Sequence, residues 1–297
     1  MASRWRSITA LTLGLGLLLG LTDQLRAAAH RRYESGQRYE DVYYLPPAEW
    51  LPVMSLGWDE ALADLIWMRG LVYFGEELQQ GGNVQHVLEY ARAATALDPD
   101  FRAVYRWVGT AAIYRPVETR PEHVEEAVEF MQRGAARFPE DGELAWDIGA
   151  ALVFELVPLL DDPEARDDAR ERGMPWLLSA SRLGAAPEWM SLTNSTLLAR
   201  LGRTEQAARH LEEMYLATRD PRTRERIAER IRRLRDRTEA EAFMQSVREH
   251  ERARREHFPY LTPELFLFVG PRPPVDLDGP IRDGLPAALS TPPASPR

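Results

Sequence analysis

Leu97-Asp98-Pro99, then Tyr105-Arg106-Trp107-Val108-Gly109, then Phe138-Pro139, then Ala145-Trp146-Asp147-Ile148-Gly149: residues 84–154 state one phrase twice. Gly109 falls ten residues after Pro99, and Gly149 falls ten after Pro139. Each glycine follows an apolar residue within a run of aromatic and aliphatic side chains. A phrase repeated at forty residues is an internal repeat, and repeats decide a fold before local propensity does. Proline ends a helix because it cannot continue the hydrogen-bond ladder, and a small residue lets two helices approach closely. The stretch therefore reads helix, Leu97-Asp98-Pro99, helix, loop, helix, Phe138-Pro139, helix.

The phrase resembles the tetratricopeptide (TPR) helix–turn–helix, a unit of about 34 residues with a W-x2-L-G-x2-Y…A-x3-F…P signature. Tyr105, Val108, Gly109 and Ala112 match the first helix of one unit, and Ala127, Met131, Gly134 and Pro139 match its second. Six extra residues fall in the loop near Arg115-Pro116 and Pro121. Ala145, Ile148 and Gly149 open another unit. Pro187 and Pro221, 34 residues apart, bracket Ala207 and Leu211, although Leu197 stands where the family has glycine. The resemblance implies an all-α, TPR-like α-solenoid of antiparallel helix pairs, with a concave groove lined by first helices where peptides lie. Carried onto this chain, the groove positions are Arg106, Trp146 and Asn194, with Thr110, Ile113 and Ala150 one turn further on. The Lys/Asn set of carboxylate-clamp TPRs is missing, so a C-terminal carboxylate ligand is not expected. Ser55-Leu56-Gly57-Trp58, Ala63-Asp64-Leu65-Ile66-Trp67 and Tyr73-Phe74-Gly75 resemble the opening of an uncharacterised family of bacterial membrane-anchored TPR proteins. That second resemblance covers residues 45–154 and implies a fold and a location, but no reaction.

Arg4 and Arg6 precede an uninterrupted apolar run over residues 8–21. At ~1.5 Å per residue its fourteen residues span about 21 Å, short of the ~30 Å hydrocarbon core. With Trp5 as interfacial anchor and an extension to Leu25, a full single-pass helix results. The alternative is a cleaved signal peptide ending at Ala27-Ala28-Ala29, which would leave a soluble periplasmic or secreted TPR binder. Asp23 and Arg26 beside that site favour the retained anchor. Arg4 and Arg6 on one side face Arg26, Arg31 and Arg32 on the other, so the flanking charges nearly cancel and leave the orientation open. A single signal-anchor usually leaves its N-terminus inside, which would place the repeats on the periplasmic side of the inner membrane.

The remainder divides at composition changes. Residues 1–25 form the anchor, and 26–57 a polar tether with a Pro-rich cap in which three prolines in seven residues argue against helix. Residues 58–257 form the repeat domain. Within it, Pro158 and Asp161-Asp162-Pro163 read as a loop and Asp162 as a helix cap; the helix of 165–183 breaks or kinks at Pro175. Residues 187–201 and 205–218 pair around Gly202. Residues 221–257, with twelve arginines and eight acids, read as one long terminal helix. Residues 258–297 begin with the apolar segments Phe258-Pro259-Tyr260-Leu261 and Leu265-Phe266-Leu267-Phe268-Val269, which must dock on the body, and end rich in proline.

Chemistry is sparse. A net charge of −9 and a pI near 5.3 speak against a nucleic-acid binder. With no cysteine there is no thiolate nucleophile, thiolate zinc site or disulfide. All 37 basic residues are arginine, so a P-loop lysine cannot exist. The six histidines form no H-E-x-x-H, and no G-x-S-x-G elbow occurs. The expectation is a non-enzyme without cofactor or metal: a membrane-anchored scaffold that holds another protein.

Overall fold

The computed structural model describes residues 45–80, 84–113, 118–271 and Val275, together with Gly20, Thr22 and residues 24–26. The chain separates into two compact units, Met1–Tyr44 and Leu45–Arg297. In the first, the described residues are helical and exposed; residues 8–19, Leu21 and 30–44, on which the anchor and tether readings rest, lie outside the described residues. Among the described residues no helix is long and apolar enough to cross a membrane.

The second unit is all-helical among its described residues. Two short turns, Ala48–Trp50 and Leu51–Met54, lead into α1 (Asp59–Gln80), α2 (Val87–Leu97), α3 (Arg102–Ile113), α4 (Pro121–Arg137) and α5 (Gly142–Ala150). After these come α6 (Pro163–Arg182), α7 (Met190–Arg200), α8 (Thr204–Ala217), α9 (Pro221–Leu234), α10 (Arg237–His257) and α11 (Pro263–Val269). Helices α1 and α2, α3 and α4, α5 and α6, and α7 and α8 pack as hairpins, and the second helix of each pair also touches the first of the next.

The helix starts follow from local chemistry. An Asp before a helix accepts a hydrogen bond from an N–H group that the first turn leaves unsatisfied. Asp162, Asp220 and Asp236 do so from the N–H groups of Ala165, Thr223 and Glu239 at 3.0, 2.8 and 2.9 Å. Pro163 and Pro221 then occupy the first helical position, where the missing N–H costs nothing and φ is already helical. Gly184 and Gly202 end α6 and α7 with φ of +71° and +75°, a conformation glycine adopts without strain.

Small residues set how closely the helices approach. A Cβ added at Gly134 would lie 2.5 Å from Cγ of Tyr105; at Gly149 it would meet Leu177 at 2.9 Å, and at Gly173 Cγ2 of Val153 at 2.5 Å. At Gly109 the neighbour is the Met131 sulfur, 2.7 Å away. Glycine in a helix interior is itself unfavourable by about 0.5–1 kcal/mol. The contacts made possible at these crossings offset that cost: Tyr105, Phe130, Met131, Ile148, Leu152, Trp176 and Leu177 are all buried.

Four expectations about local structure change. The Pro-rich segment is helical after all, in two single turns, because Pro47 precedes the first and Pro52 sits in the opening turn of the second. Helix α5 does not yield to a loop near Pro158. It continues through a π-helical segment, Ala151–Leu156, and a last turn, Val157–Leu159, that takes in Pro158. The segment packs on both α4 and α6, which buries Ala151, Leu152 and Val153 in succession. Helix α6 runs unbroken past Pro175; burial of Trp176, Leu177 and Leu178 outweighs one lost hydrogen bond. Residues 221–257 form two helices, α9 and α10, because Arg235 turns out of the helix to reach Glu205 and Glu212 on α8 while Asp236 caps α10.

The C-terminal apolar segments, expected to dock, do so only in part: Phe258, Tyr260, Leu265 and Val269 stay exposed. Phe266 of α11 is fully buried, 4.7 Å from the His250 ring and 5.6 Å from that of Phe258. Residues 276–297 lie outside the described residues.

Replacing Gly134 by Ala should destabilise the protein by about 1–3 kcal/mol through overpacking against Tyr105. Gly75→Ala, where nothing lies within 4 Å, should be neutral or stabilising by up to about 1 kcal/mol. Urea denaturation of the two variants beside the wild type measures both.

Candidate functional site

Helix α3 places Arg102 and Arg106 one turn apart, and α5 places Glu143 and Asp147 one turn apart opposite them. Because α3 and α5 touch, the four side chains interlock. Arg106 donates through Nε to Asp147 at 2.8 Å and through Nη1 to Glu143 at 2.7 Å. Arg102 bonds Glu143 at 2.7 Å and also pairs with Asp141, whose carboxylate caps α5 by accepting from Glu143 and Leu144 N–H. The hydrogen bond from Arg102 holds the Glu143 carboxyl below the usual range. Burial pushes Asp141 up, but the bonds from Arg102 and Leu144 N–H outweigh it and leave the group lowered. At Asp147 burial wins over Arg106, and its pKa is raised. Arg106, expected to offer its charge to a ligand, thus spends that charge on two acids of the next pair.

Beside this network runs a row of half-buried aromatics from α1 and α3. The Trp67 and Trp107 rings meet edge to face with centroids 4.7 Å apart; Phe74 lies 5.5 Å from Trp107 and Phe101 5.9 Å from Trp67. Sequence reading weighs Trp67 and Phe74 as an N-terminal cap or a partner-binding patch, but does not single out Trp107. Its signal was available: Trp67 and Trp107 are forty residues apart, the spacing of Gly109 and Gly149.

The other expected groove residues divide. Thr110 is exposed and Ala150 half-buried. The side chain of Ile113 lies outside the described residues. Trp146 is half-buried and packs against the cluster of Val153, Met174, Leu177, Leu178 and Leu197, so most of its ring fills a helix interface. Asn194 is corrected outright. It is fully buried and donates to Oγ of Ser181 at 3.1 Å. Asn194 shares the buried face of α7 with Ser191, Ser195 and Leu198 and points into the core.

Asn194 is one of two buried polar residues in the α7–α8 pair with unsatisfied atoms. Its Oδ1 has no hydrogen-bond partner, and neither ring nitrogen of His210 has one. His210 is 2% exposed. Burial, reinforced by the positive charge of Arg182, drives its pKa down to about 3, so the ring is neutral at pH 7.

An open cavity of about 660 Å³ lies at the helix turns between Arg102, Arg137, Asp141 and Leu183. Its cations are already taken, Arg102 by Asp141 and Glu143, Arg137 by Asp100. Among the described residues no group of three or more His, Asp or Glu side chains is arranged to hold a metal ion. Set against protein-family models, curated proteins and solved structures, the chain matches none. What the site presents is a row of half-buried aromatics and an ion network whose charges are paired.

His210 gives an acid sensitivity with a definite sign. Its folded pKa lies below the unfolded value of about 6.5, so below that pH the unfolded chain binds a proton that the folded chain refuses. Stability should therefore fall by up to about 1.4 kcal/mol per pH unit as pH drops from 6.5 towards 3. Urea unfolding of wild type and His210→Leu between pH 6.5 and 5 should show the variant flatter by about one proton.

Proposed function

We propose that this chain is a membrane-anchored TPR-like scaffold whose helical repeats hold another protein at the bacterial envelope. The observation that carries this reading is the recurrence at forty residues of one packing device. Gly109 of α3 lies under Met131 and Gly149 of α5 under Leu177, each the contact of a first helix with its hairpin partner. Stacked hairpins of this kind expose a run of first helices as one continuous surface. On that surface the half-buried Trp67, Phe74 and Trp107 row, with Thr110 and Arg106 beside it, has the residue types that dominate binding energy. The apolar run of residues 8–21 after Arg4 and Arg6 supplies the anchor. The working surface in this reading is α1 and α3 together with Arg106, Thr110, Trp146 and Ala150, and Asn194 has no part in it.

Crosslinked pull-down from native membranes tests the reading, with wild type beside Trp107→Ala/Arg106→Glu and circular dichroism as the check of folding. One partner should be enriched by wild type and reduced about tenfold or more by the variant, the loss expected when a hot-spot residue is removed. A chain that stays monomeric and partnerless in membranes overturns the scaffold. N-terminal sequencing of the mature protein should read Met1 or Ala2; a start at His30 would replace the anchor with a cleaved leader.

A further inference from the structure

The densest run of exposed large apolar side chains opens the second unit. Trp50, Val53, Met54, Leu56 and Trp58 are 60%, 68%, 59%, 86% and 75% exposed within nine residues. At the opposite end Phe266 of α11 turns inward while Phe258, Tyr260, Leu265 and Val269 stay exposed, and α9 and α10 show solvent an arginine- and glutamate-rich face.

The apolar knuckle is rigid. Leu51 and Ser55, four residues apart, point inward and are buried. The Ser55 hydroxyl donates to the Pro52 carbonyl at 2.8 Å, bonds the Asp59 carboxylate, and accepts from Gly57 N–H at 3.3 Å. Trp58 N–H closes the turn on the Ser55 carbonyl at 2.9 Å. At the tip Leu56 has φ +53°, a left-handed conformation that a leucine rarely adopts. This strain is held by the hydrogen bonds around Ser55, and its result is to present a leucine to solvent. Such strain persists where it serves a function.

We propose that the Trp50–Trp58 knuckle inserts into the headgroup boundary of the bilayer that holds residues 8–21. The proposal rests on the anchored reading above. Only twenty-eight residues separate Leu21 from Trp50; fully extended they reach at most ~100 Å, so an apolar surface at their end stays within that distance of the membrane and meets it at high local concentration. Trp50 and Trp58 flank the tip, and tryptophan is the residue enriched at the membrane–water interface. Residues 45–68 contain no Lys or Arg, while Glu49, Asp59, Glu60 and Asp64 are acidic. Insertion is therefore driven by apolar area and draws nothing from anionic lipid. Its effect is to fix the height and orientation of α1, the helix that carries Trp67 and Phe74.

The chain has no cysteine, so a single introduced one can carry an environment-sensitive nitrobenzoxadiazole (NBD) fluorophore without background. Full-length Leu56→Cys is labelled and reconstituted in phosphatidylcholine vesicles, with and without brominated acyl chains. Arg237→Cys, whose native side chain is 92% exposed, is the water-facing control. Flotation is recorded for each. The expected result is that the chain floats, that emission at position 56 shifts to the blue and is quenched by bromolipid, and that 1 M salt changes neither. Position 237 should show no shift. A floating chain with a water-like, unquenched probe at 56 overturns the knuckle and leaves the anchor standing. A blue-shifted probe that bromolipid does not quench means that a second copy or another protein covers the knuckle, and also overturns the proposal. A chain that fails to float overturns knuckle and anchor together.

Discussion

The close approach of helices at glycine is the constraint on which the rest of this fold depends. Tyr105 lies over Gly134, Leu177 over Gly149 and Val153 over Gly173, each so near that a methyl group would collide. Because packing decays steeply with separation, these crossings fix how the helices of each hairpin sit on one another. The distance between α3 and α5 then follows, and with it the meeting of Arg106 with Glu143 and Asp147. Separating those helices by one side-chain layer would break the ion network without altering any of its members.

Charge is used here to connect neighbours. Arg102, Arg106, Arg182 and Arg235 each reach an acid 30 to 41 residues away, on a helix of another pair or in its cap. Arg235 is the clearest case: only 16% exposed, it binds both Glu205 and Glu212, and taking that position divides what would otherwise be one helix from Pro221 to His257. Ion pairs at the surface contribute little stability individually. What they do here is tie successive helix pairs to one another.

The two ends of the second unit are unequal. At the C-terminal end Phe266 turns inward and α9 and α10 present polar outer faces, although Phe258, Tyr260, Leu265 and Val269 stay exposed. At the N-terminal end the apolar side chains are outside and the hydrogen bonds of Ser55 are inside. That inversion is costly in water and makes sense only with an apolar neighbour. It also sets the aromatic row of Trp67, Phe74 and Trp107 close in sequence to the proposed membrane contact.

Some of this was determined by the sequence alone. Proline and glycine act within a few residues of themselves, so the helix stops at Pro99 and Pro139, the cap at Asp162, the turn at Gly202 and the need for small residues at 109 and 149 were all legible. The docking of the 265–269 segment was legible only at Phe266, since Leu265 and Val269 stay exposed. Other features depend on residues distant in the chain. Only the tertiary structure drew Arg235 out of its helix towards Glu205 and Glu212, with Asp236 capping the helix that follows. Only packing on both α4 and α6 carried α5 through a π-helical turn over Pro158. Asn194 went into the core and Arg106 into an ion network because the helices packed around them set which face each presents. Sequence determined where this chain turns and where its helices touch; tertiary structure decided which side chains were left exposed, since exposure is a property of the assembled neighbours and not of the residue.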